Sequence, residues 1–474
     1  MDFCHLHLHS EYSMLDGLGT TEAYAKKASI LGYKYLGITD HGNIDGLIKF
    51  QTSCAKYGIK PVLGCELYIV HDVEVKSRKR GHVVVWVKNE KGFKNLCNML
   101  TFANLEGFYY KPRVSHEVFL DNCKGLVVST ACLQTFMYDK RGEILFQKLY
   151  DAIGNDLYCE IMPHNIAKQR KLNRLCYKIS KQYGPKIIAT NDCHYVNRTH
   201  CQAHEVLLAI QSKARWDDPK RWRFTIKGLH LRTINEMKQA FIEQGYYNRR
   251  YLLNTIEVAE KCSDFHIKKY KVKLPRVKGI KIKEEAQSLE YLCHAGYNNI
   301  FKNQLTHNRK YRERFEEEFN LIKRKNFIRY FLIVWELISW CKKHDIMTGP
   351  IRGSVGGSLV AYLLGITSVN PIKHKLMFSR FINEDRIDLP DIDVDFEDTK
   401  RHLVRGHLEE LYGKDNVAGV SSFNRMKARA VIRDVSRVFA IPLAEVDQFA
   451  KFIDDHDEDT GIQEAIEEYP EAYD

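Results

Sequence analysis

Residues 3–17 read FCHLHLHSEYSMLDG. His5, His7 and His9 alternate with apolar residues, and Asp16 follows shortly after. Successive side chains of a β-strand point to opposite faces, so the spacing predicts that the three imidazoles share one face. Such a face is either a metal site or a polar stripe turned to water, and this stretch alone leaves both open.

Outward from it, strand-like and helix-like segments alternate. KYLGITDHG (34–42), KPVLGCELYIV (60–70), HVVVWVKN (82–89), GLVVSTAC (125–132), DLYCEIMP (156–163) and KIIATNDCH (186–194) read as strands. NIDGLIKFQTSCAKYGI (43–59), EKGFKNLCNMLTFAN (90–104) and IAKQRKLNRLCYKISKQYG (166–184) read as helices. This alternation predicts an α/β domain built as a barrel. Metal-ligand residue types recur at the strand ends: His41, Glu66, Cys132, Asp192 and His194. In a parallel β/α barrel that rim carries the chemistry. Each residue alone has an ordinary use, as a strand-end acid, a small core thiol or a turn cap. Together with His7, His9 and Asp16 they point to one site. His82 begins its strand, so spacing alone leaves it out.

HLHLHSEYSMLDG, ITDHGN, GCE, the histidine before VVVWVKNEKGFKNL, STAC and ATNDCHYV resemble the PHP (polymerase and histidinol phosphatase) domain of bacterial replicative DNA polymerases. The resemblance covers residues 1–265 and implies a distorted β/α barrel with a trinuclear metal site. The implied ligands are His7, His9, Asp16, His41, Glu66, His82, Cys132, Asp192 and His194. It thus restores His82 and sets His5 deeper in the barrel. Mixed imidazole, carboxylate and thiolate donors suit Zn²⁺, Mn²⁺ or Fe²⁺ better than Mg²⁺ alone. The fitting reaction is phosphodiester hydrolysis, which in a polymerase means a 3′-5′ exonuclease, with Asp16 counted among the catalytic carboxylates.

A second constellation opens at Gly349: GPIRGSVGGSLVAYLLGIT. Glycines let backbone approach a ligand closely, and a helix N-terminus favours phosphate. The loop lacks the GK[ST] of a Walker motif. Its companion is LPDIDVDF, where Asp391, Asp393 and Asp395 alternate with other residues. On a strand they would face one way about 6.6 Å apart. At an effective dielectric near 20, neighbours then repel by about 2.5 kcal/mol, so either cations sit between them or water bathes them. The run from EFNLIKRKNF to DIDVDF resembles the palm of the C-family polymerases, the alpha subunits of bacterial DNA polymerase III. That implies a polymerase-beta-like nucleotidyltransferase palm of α+β build. Asp391 and Asp393 would be catalytic and hold Mg²⁺, with Asp395 a lesser candidate. Arg352, Gly353, Ser354, Arg380 and Arg386 would bind the nucleotide. VAGVSSFNRMKARAVIRDVSRVFAIP (417–442) resembles the start of a helical thumb.

The domain reading is a PHP barrel over 1–265, a basic connection over 266–285 and a palm over 286–422. A partial thumb with an acidic tail follows over 423–474. The 474 residues carry a net charge of +12 with pI ≈ 8.9, which suits a polyanionic partner. The expected partners are a DNA primer-template, dNTPs and a second polypeptide carrying the remaining thumb, a third catalytic aspartate and the fingers. No run is long and apolar enough to span a membrane. The 13 cysteines show no CxxC pair, which fits reduced thiols in a cytoplasm. The palm so read lacks its third catalytic aspartate, which fits a split gene or a fragment of a longer product; the competing reading is a free-standing phosphoesterase or exonuclease whose palm does not work. The acidic run 454–474 reads as a solvated tail or a docking segment.

Overall fold

A computed structural model describes residues 3–451, 453 and 462, apart from 269–272, 303, 304, 306, 307 and 386–388. The chain divides into two compact units, Met1–Lys268 with Arg425–Asp474, and Lys269–Asn424.

The first unit is built on seven strands: β1 (Tyr35–Ile38), β2 (Lys60–Val70), β3 (Gly81–Val87), β4 (Arg113–Ser115), β5 (Leu126–Ser129), β6 (Leu157–Ile161) and β7 (Lys186–Ala189). Their order is β1-β2-β3-β5-β6-β7, with β4 paired to β2. Most are buried along nearly their whole length, which is why they read as continuous runs of Val, Ile and Leu. The first residues close the sheet. Gly37 N donates to His5 O at 2.7 Å and Thr39 N to Leu8 O at 2.8 Å on one side. On the other, His9 N donates to Cys193 O at 2.7 Å and Cys193 N to His7 O at 3.1 Å. Gly37 makes the closure possible, because a Cβ there would lie 2.4 Å from Leu6 O.

The barrel is not all parallel. β3 runs antiparallel to both β2 and β5. Helices α1 (Thr21–Ile30), α2 (Leu47–Lys56), α3 (Glu90–Leu105), α4 (His116–Asn122), α5 (Lys140–Ile153), α6 (Ala167–Tyr183), α7 (Cys201–Gln211), α8 (Ile234–Glu243) and α9 (Arg249–Cys262) complete this part. Their starts are written in the sequence. Thr20, Asn89, Ser115 and Asp139 each accept a backbone N–H of the first turn, and Thr233 with Glu236 forms a capping box. Each cap contributes about 1 kcal/mol. α9 sets Val258, Ala259 and Cys262 among Val62, Val84, Trp86, Tyr158 and Ile188, the inward side chains at one end of the barrel. That end is plugged, and polar side chains are left to the other.

The second unit is helical: α10 (Glu285–Phe301), α11 (Arg309–Arg324), α12 (Ile328–Lys343), α13 (Leu359–Leu363) and α14 (Arg401–Tyr412). Its core joins Leu289 and Tyr297 to Phe319, Ile322, Phe331, Leu359 and Phe381. α12 carries the apolar run YFLIVWELISW (330–340), but Glu336 lies on its half-covered side and meets His407 at 2.9 Å. No helix among the described residues is long and apolar enough to cross a membrane. The LPDIDVDF segment is extended, paired among the described residues only through an antiparallel Thr348–Phe396 bridge rather than laddered as a strand.

The segment read as thumb continues as α15 (Ala428–Val438) and α16 (Leu443–Ala450). It groups with the barrel unit rather than with the palm stretch before it. α15 packs Val435 and Val438 against Val206, Ala209 and Ile210 of α7, and Trp216 N donates to Val438 O at 2.8 Å. The acidic run 454–474 lies outside the described residues except Ile462. All 13 cysteines are free.

Candidate metal centre and acidic loop

The three opening histidines do not share a face. Cys4 and Leu6 point into the barrel, where Trp86 Nε1 donates to Leu6 O at 3.1 Å. His7 and His9 also point inward, with their Nε2 atoms 3.2 Å apart. Strict alternation therefore breaks between Leu6 and His7. His5 is left on the outer side, packed 4.7 Å from the Phe3 ring and 5.6 Å from the Tyr33 ring, with Nε2 2.9 Å from Arg232 O.

All nine ligand-type residues implied by the resemblance gather at one rim. His7 Nε2 lies 3.5 Å from Glu66 Oε1 and 3.3 Å from Asp192 Oδ1. His9 Nε2 lies 3.6 Å from Glu66 Oε2 and 3.1 Å from Asp192 Oδ1. His41 spans Glu66 Oε2 at 2.7 Å and Asp16 Oδ2 at 3.2 Å. His82 Nδ1 is 2.9 Å from Glu66 Oε1, and Cys132 Sγ is 3.4 Å from both of these residues. His194 reaches Asp16 at 3.7 Å and Asp192 at 3.6 Å. Because β3 runs antiparallel, its beginning lies on the rim where the parallel strands end, and this brings in His82. Three ligand-bearing turns use left-handed backbone: Leu15, before Asp16, at φ 59°, Ala131, before Cys132, at φ 57° and Asp192 at φ 54°. Each costs a non-glycine residue roughly 1–2 kcal/mol, held here by the surrounding pairing.

The residues fit bound metal ions. Three overlapping groups could each hold an ion: His9 with His41 and His194, His7 with His9 and Glu66, and His41 with Glu66 and His82. Asp16 Oδ1, His41 Nδ1, Glu66 Oε2, Asp192 Oδ1 and His82 Nε2 are buried, and apart from close contacts within this ligand set they find no hydrogen-bond partner. Uncompensated buried polar atoms packed against one another are unfavourable without a cation. The protonation equilibria divide. Burial opposes protonation, yet Glu160, Asp192 and Glu66 hold the His7 pKa well above the usual imidazole value. Tyr68, Asp16 and Glu66 do the same for His41, so these two rings take protons where a cation would otherwise stand. Burial and the neighbouring rings of His41 and His194 push the His9 pKa down to about 3, which keeps it a neutral donor. Burial opposes ionisation of Asp192, yet His7 and His194 hold its carboxyl well below the usual carboxylate range. Burial, then Glu66, pushes the Cys132 thiol up, so a cation is needed to make it a thiolate.

Three supporting residues escaped the sequence reading. Glu160 accepts from His7 Nδ1 at 2.7 Å and from Thr190 Oγ1 and Ser129 Oγ, which fixes the His7 tautomer. Asp40 accepts from Ser10 N, Ser10 Oγ and Ser13 Oγ at 2.7 Å each, and Ser13 Oγ lies 3.1 Å from His9 Nδ1. His204 Nε2 stands 3.9 Å from Asp16 Oδ1. A signal existed for Glu160: a lone acid inside an otherwise apolar buried strand. The sequence carried none for His204.

In the second unit, the glycine loop and the acids do lie side by side. A Cβ on Gly353 would sit 3.2 Å from Asp393 Oδ2, and Gly349 N donates to Asp395 O at 2.9 Å. Asp391, Asp393 and Asp395 are exposed while Ile392 and Val394 between them are half-covered, so the acids point outward together. Arg352, Gly353 and Ser354 are exposed, with Arg352 Nη1 bonded to Asp395 Oδ1 at 2.6 Å. Arg380 is exposed on a 3-10 turn, and Arg386 lies outside the described residues. The expectation that the following helix offers its N-terminus to phosphate is overturned. Buried Glu318 already accepts from Leu359 N at 2.9 Å, Val360 N at 3.0 Å and Ser358 Oγ at 2.9 Å, and pairs with Arg314 at 2.6 Å. A carboxylate of the chain itself fills the place kept for phosphate.

The folded barrel and its rim define a PHP-domain protein, and the PHP domain family matches residues 5–164. Residues 287–473 match the bacterial DNA polymerase III alpha NTPase domain. The chain is 39% identical to the DNA polymerase III subunit alpha of Aquifex aeolicus, over 95% of this chain and 41% of that protein. The same subunit of Helicobacter pylori is 37% identical over 95% of this chain and 40% of that protein. That of Thermus aquaticus is 33% identical over 99% of this chain and 44% of that protein. The chain belongs to the DNA polymerase III alpha family and spans about two fifths of the length of these relatives. A solved amidohydrolase from Chromobacterium violaceum is 15% identical, with a TM-score of 0.30 over 40% of this chain and 87% of that chain, which is too distant to add to this.

Proposed function

We propose that the barrel rim is a metal-dependent phosphodiesterase that removes 3′-terminal nucleotides from DNA within a DNA-directed DNA polymerase of this family. The supporting observation is the convergence of nine ligand-type side chains whose buried atoms Asp16 Oδ1, Glu66 Oε2 and Asp192 Oδ1 find no hydrogen-bond partner outside that set. His7, His9, Asp16, His41, Glu66, His82, Cys132, Asp192 and His194 would hold the ions, and Zn²⁺, Mn²⁺ or Fe²⁺ suits this donor set. Bound there, such ions acidify water and neutralise charge on a phosphoryl oxygen. Glu160 and Asp40 keep His7 and His9 oriented, and the buried rim excludes bulk water. Asp391 and Asp393 would hold Mg²⁺ for nucleotidyl transfer, with Arg352, Gly353, Ser354, Arg380 and Arg386 taking the incoming nucleotide. Synthesis on a primer-template would also need a third carboxylate and fingers.

The test is metal content of the purified chain by plasma mass spectrometry, together with release of nucleotides from a 5′-labelled single strand. Bound metal with release abolished by a chelator is the expected outcome. A protein that folds, takes up no metal and leaves strand ends intact overturns the reading. The alternative, a phosphoesterase with an idle palm, draws support from the pairing of Arg352 with Asp395 and the occupied start of α13. Primer extension by this chain supplemented with the remaining polypeptide, lost on Asp391→Ala, decides against the alternative.

A further inference from the structure

The metal centre opens into a cleft of about 540 Å³. A second cavity, of about 660 Å³, adjoins it and contains none of the nine ligand-type residues. Arg80 lines both. The wall between them is built from one loop. Leu133 and Gln134 face the cleft, while Thr135 and Phe136 face the second cavity. His82 N donates to Gln134 O at 2.7 Å, so the metal rim and this wall are one piece.

The two cavities share a chemistry of cations beside aromatic faces. In the cleft, Lys111 and Arg80 lie 5.6 Å and 4.9 Å from the Tyr68 ring, and Trp222, 51% exposed, meets Phe224 edge-on at 4.7 Å. In the second cavity Lys79 and Arg141 join Arg80, and Tyr138 is 48% exposed. Its two carboxylates are engaged locally, Asp72 with Glu74 N at 2.9 Å and Asp139 with Gly142 N at 2.8 Å. Arg113 spends its guanidinium on the carbonyls of Gly107, Val73 and Val75. Arg80 Nε is buried without a hydrogen-bond partner at the junction. Cations that track a backbone, with an aromatic face for each base, are how single strands are held without sequence preference.

Resting on the phosphodiesterase reading above, we infer that the second cavity is the subsite for the penultimate nucleotide of a single-stranded polynucleotide whose terminal nucleotide occupies the metal cleft. Arg80 holds the phosphate at the junction, Lys79 and Arg141 the one before it, and Tyr138 stacks on the penultimate base.

The test measures fluorescence anisotropy of a labelled single-stranded trithymidylate and of labelled thymidine monophosphate on the full chain, with Mn²⁺, in an Asp16→Asn background that prevents turnover. Lys79→Ala combined with Arg141→Ala should weaken the trinucleotide at least tenfold more than the mononucleotide. Both side chains are exposed, so folding is not at stake. Tyr138→Ala should weaken the trinucleotide about fivefold or more, as loss of one stacked base does. Equal effects on the two ligands, or none, overturn the subsite. Absence of nuclease activity in the unmutated chain, with the tri- to mononucleotide difference intact, removes the phosphodiesterase reading and keeps the subsite. Active nuclease without that difference does the reverse.

Discussion

At the barrel rim, the side chains of His7, His9 and Glu66 have no exposed surface, whereas Arg352 and Asp395 of the second unit are 61% and 54% exposed. The rim packs its acids among imidazoles, whereas the acids of the second unit stand in solvent beside Arg352. They differ in what holds them. Burial obliges each rim group to have a partner, so Glu160, Ser13 and Asp40 stand behind the first ring of donors. The exposed acids are solvated and need no such shell, and their segment is held by the Thr348–Phe396 bridge, by Ile392 N donating to the Tyr330 hydroxyl and by Arg352 on Asp395. Buried groups are fixed by the fold around them, and exposed acids are left largely to water.

Five substitutions would break or sharpen that contrast, taken from the largest effect to the smallest. Asp16→Asn, or a chelator, should cut release of terminal nucleotides by ~10³-fold or more, since bound metal supplies several kcal/mol of transition-state stabilisation. Unchanged circular dichroism with that loss places the effect in chemistry rather than folding. Glu318→Ala should destabilise the second unit by about 3 kcal/mol, because Arg314 and two buried amides lose their acceptor. Thermal unfolding should show it, with nuclease activity retained. Glu160→Gln should lower metal affinity or activity by about 10–100-fold, the usual loss when a ligand's hydrogen-bond partner is removed. A metal titration that matches the unmutated protein would show that His7 is oriented without it. Last, Asp391→Ala and Asp393→Ala should each shift unfolding by less than about 0.5 kcal/mol, as solvated surface acids do. A large loss of stability at either would mean that the acidic stretch is structurally committed and the contrast is false.

Much of the barrel was legible. β2 follows KPVLGCELYIV residue for residue, and α3 and α6 start and stop within one residue of the segments read as helices. Those boundaries are local, set by caps such as Asn89 and by Gly184 at φ 93°. The strand-end rule brought out His41, Cys132, Asp192 and His194 because register fixes which residue stands at the rim, whereas Glu66, read as a strand end, lies within β2, which continues through Val70. It failed at His82 because strand direction is a property of pairing, invisible in HVVVWV. It failed at His5 because one break in alternation, after Leu6, is enough to turn a side chain to the other face.

The second unit shows the same division. The sequence alone determined that a glycine loop and three alternating acids occur on one chain, and that the acids face one way. It could not show that Glu318, 41 residues before Leu359, fills the start of α13. Nor could it show that α15 lies against α7 rather than with the helices that precede it. Caps, alternation and glycine turns are written within a few residues, where geometry leaves few choices. Which distant carboxylate meets which amide, and which strand runs against its neighbours, is decided by burial. Only the folded core says which polar groups must find each other away from water.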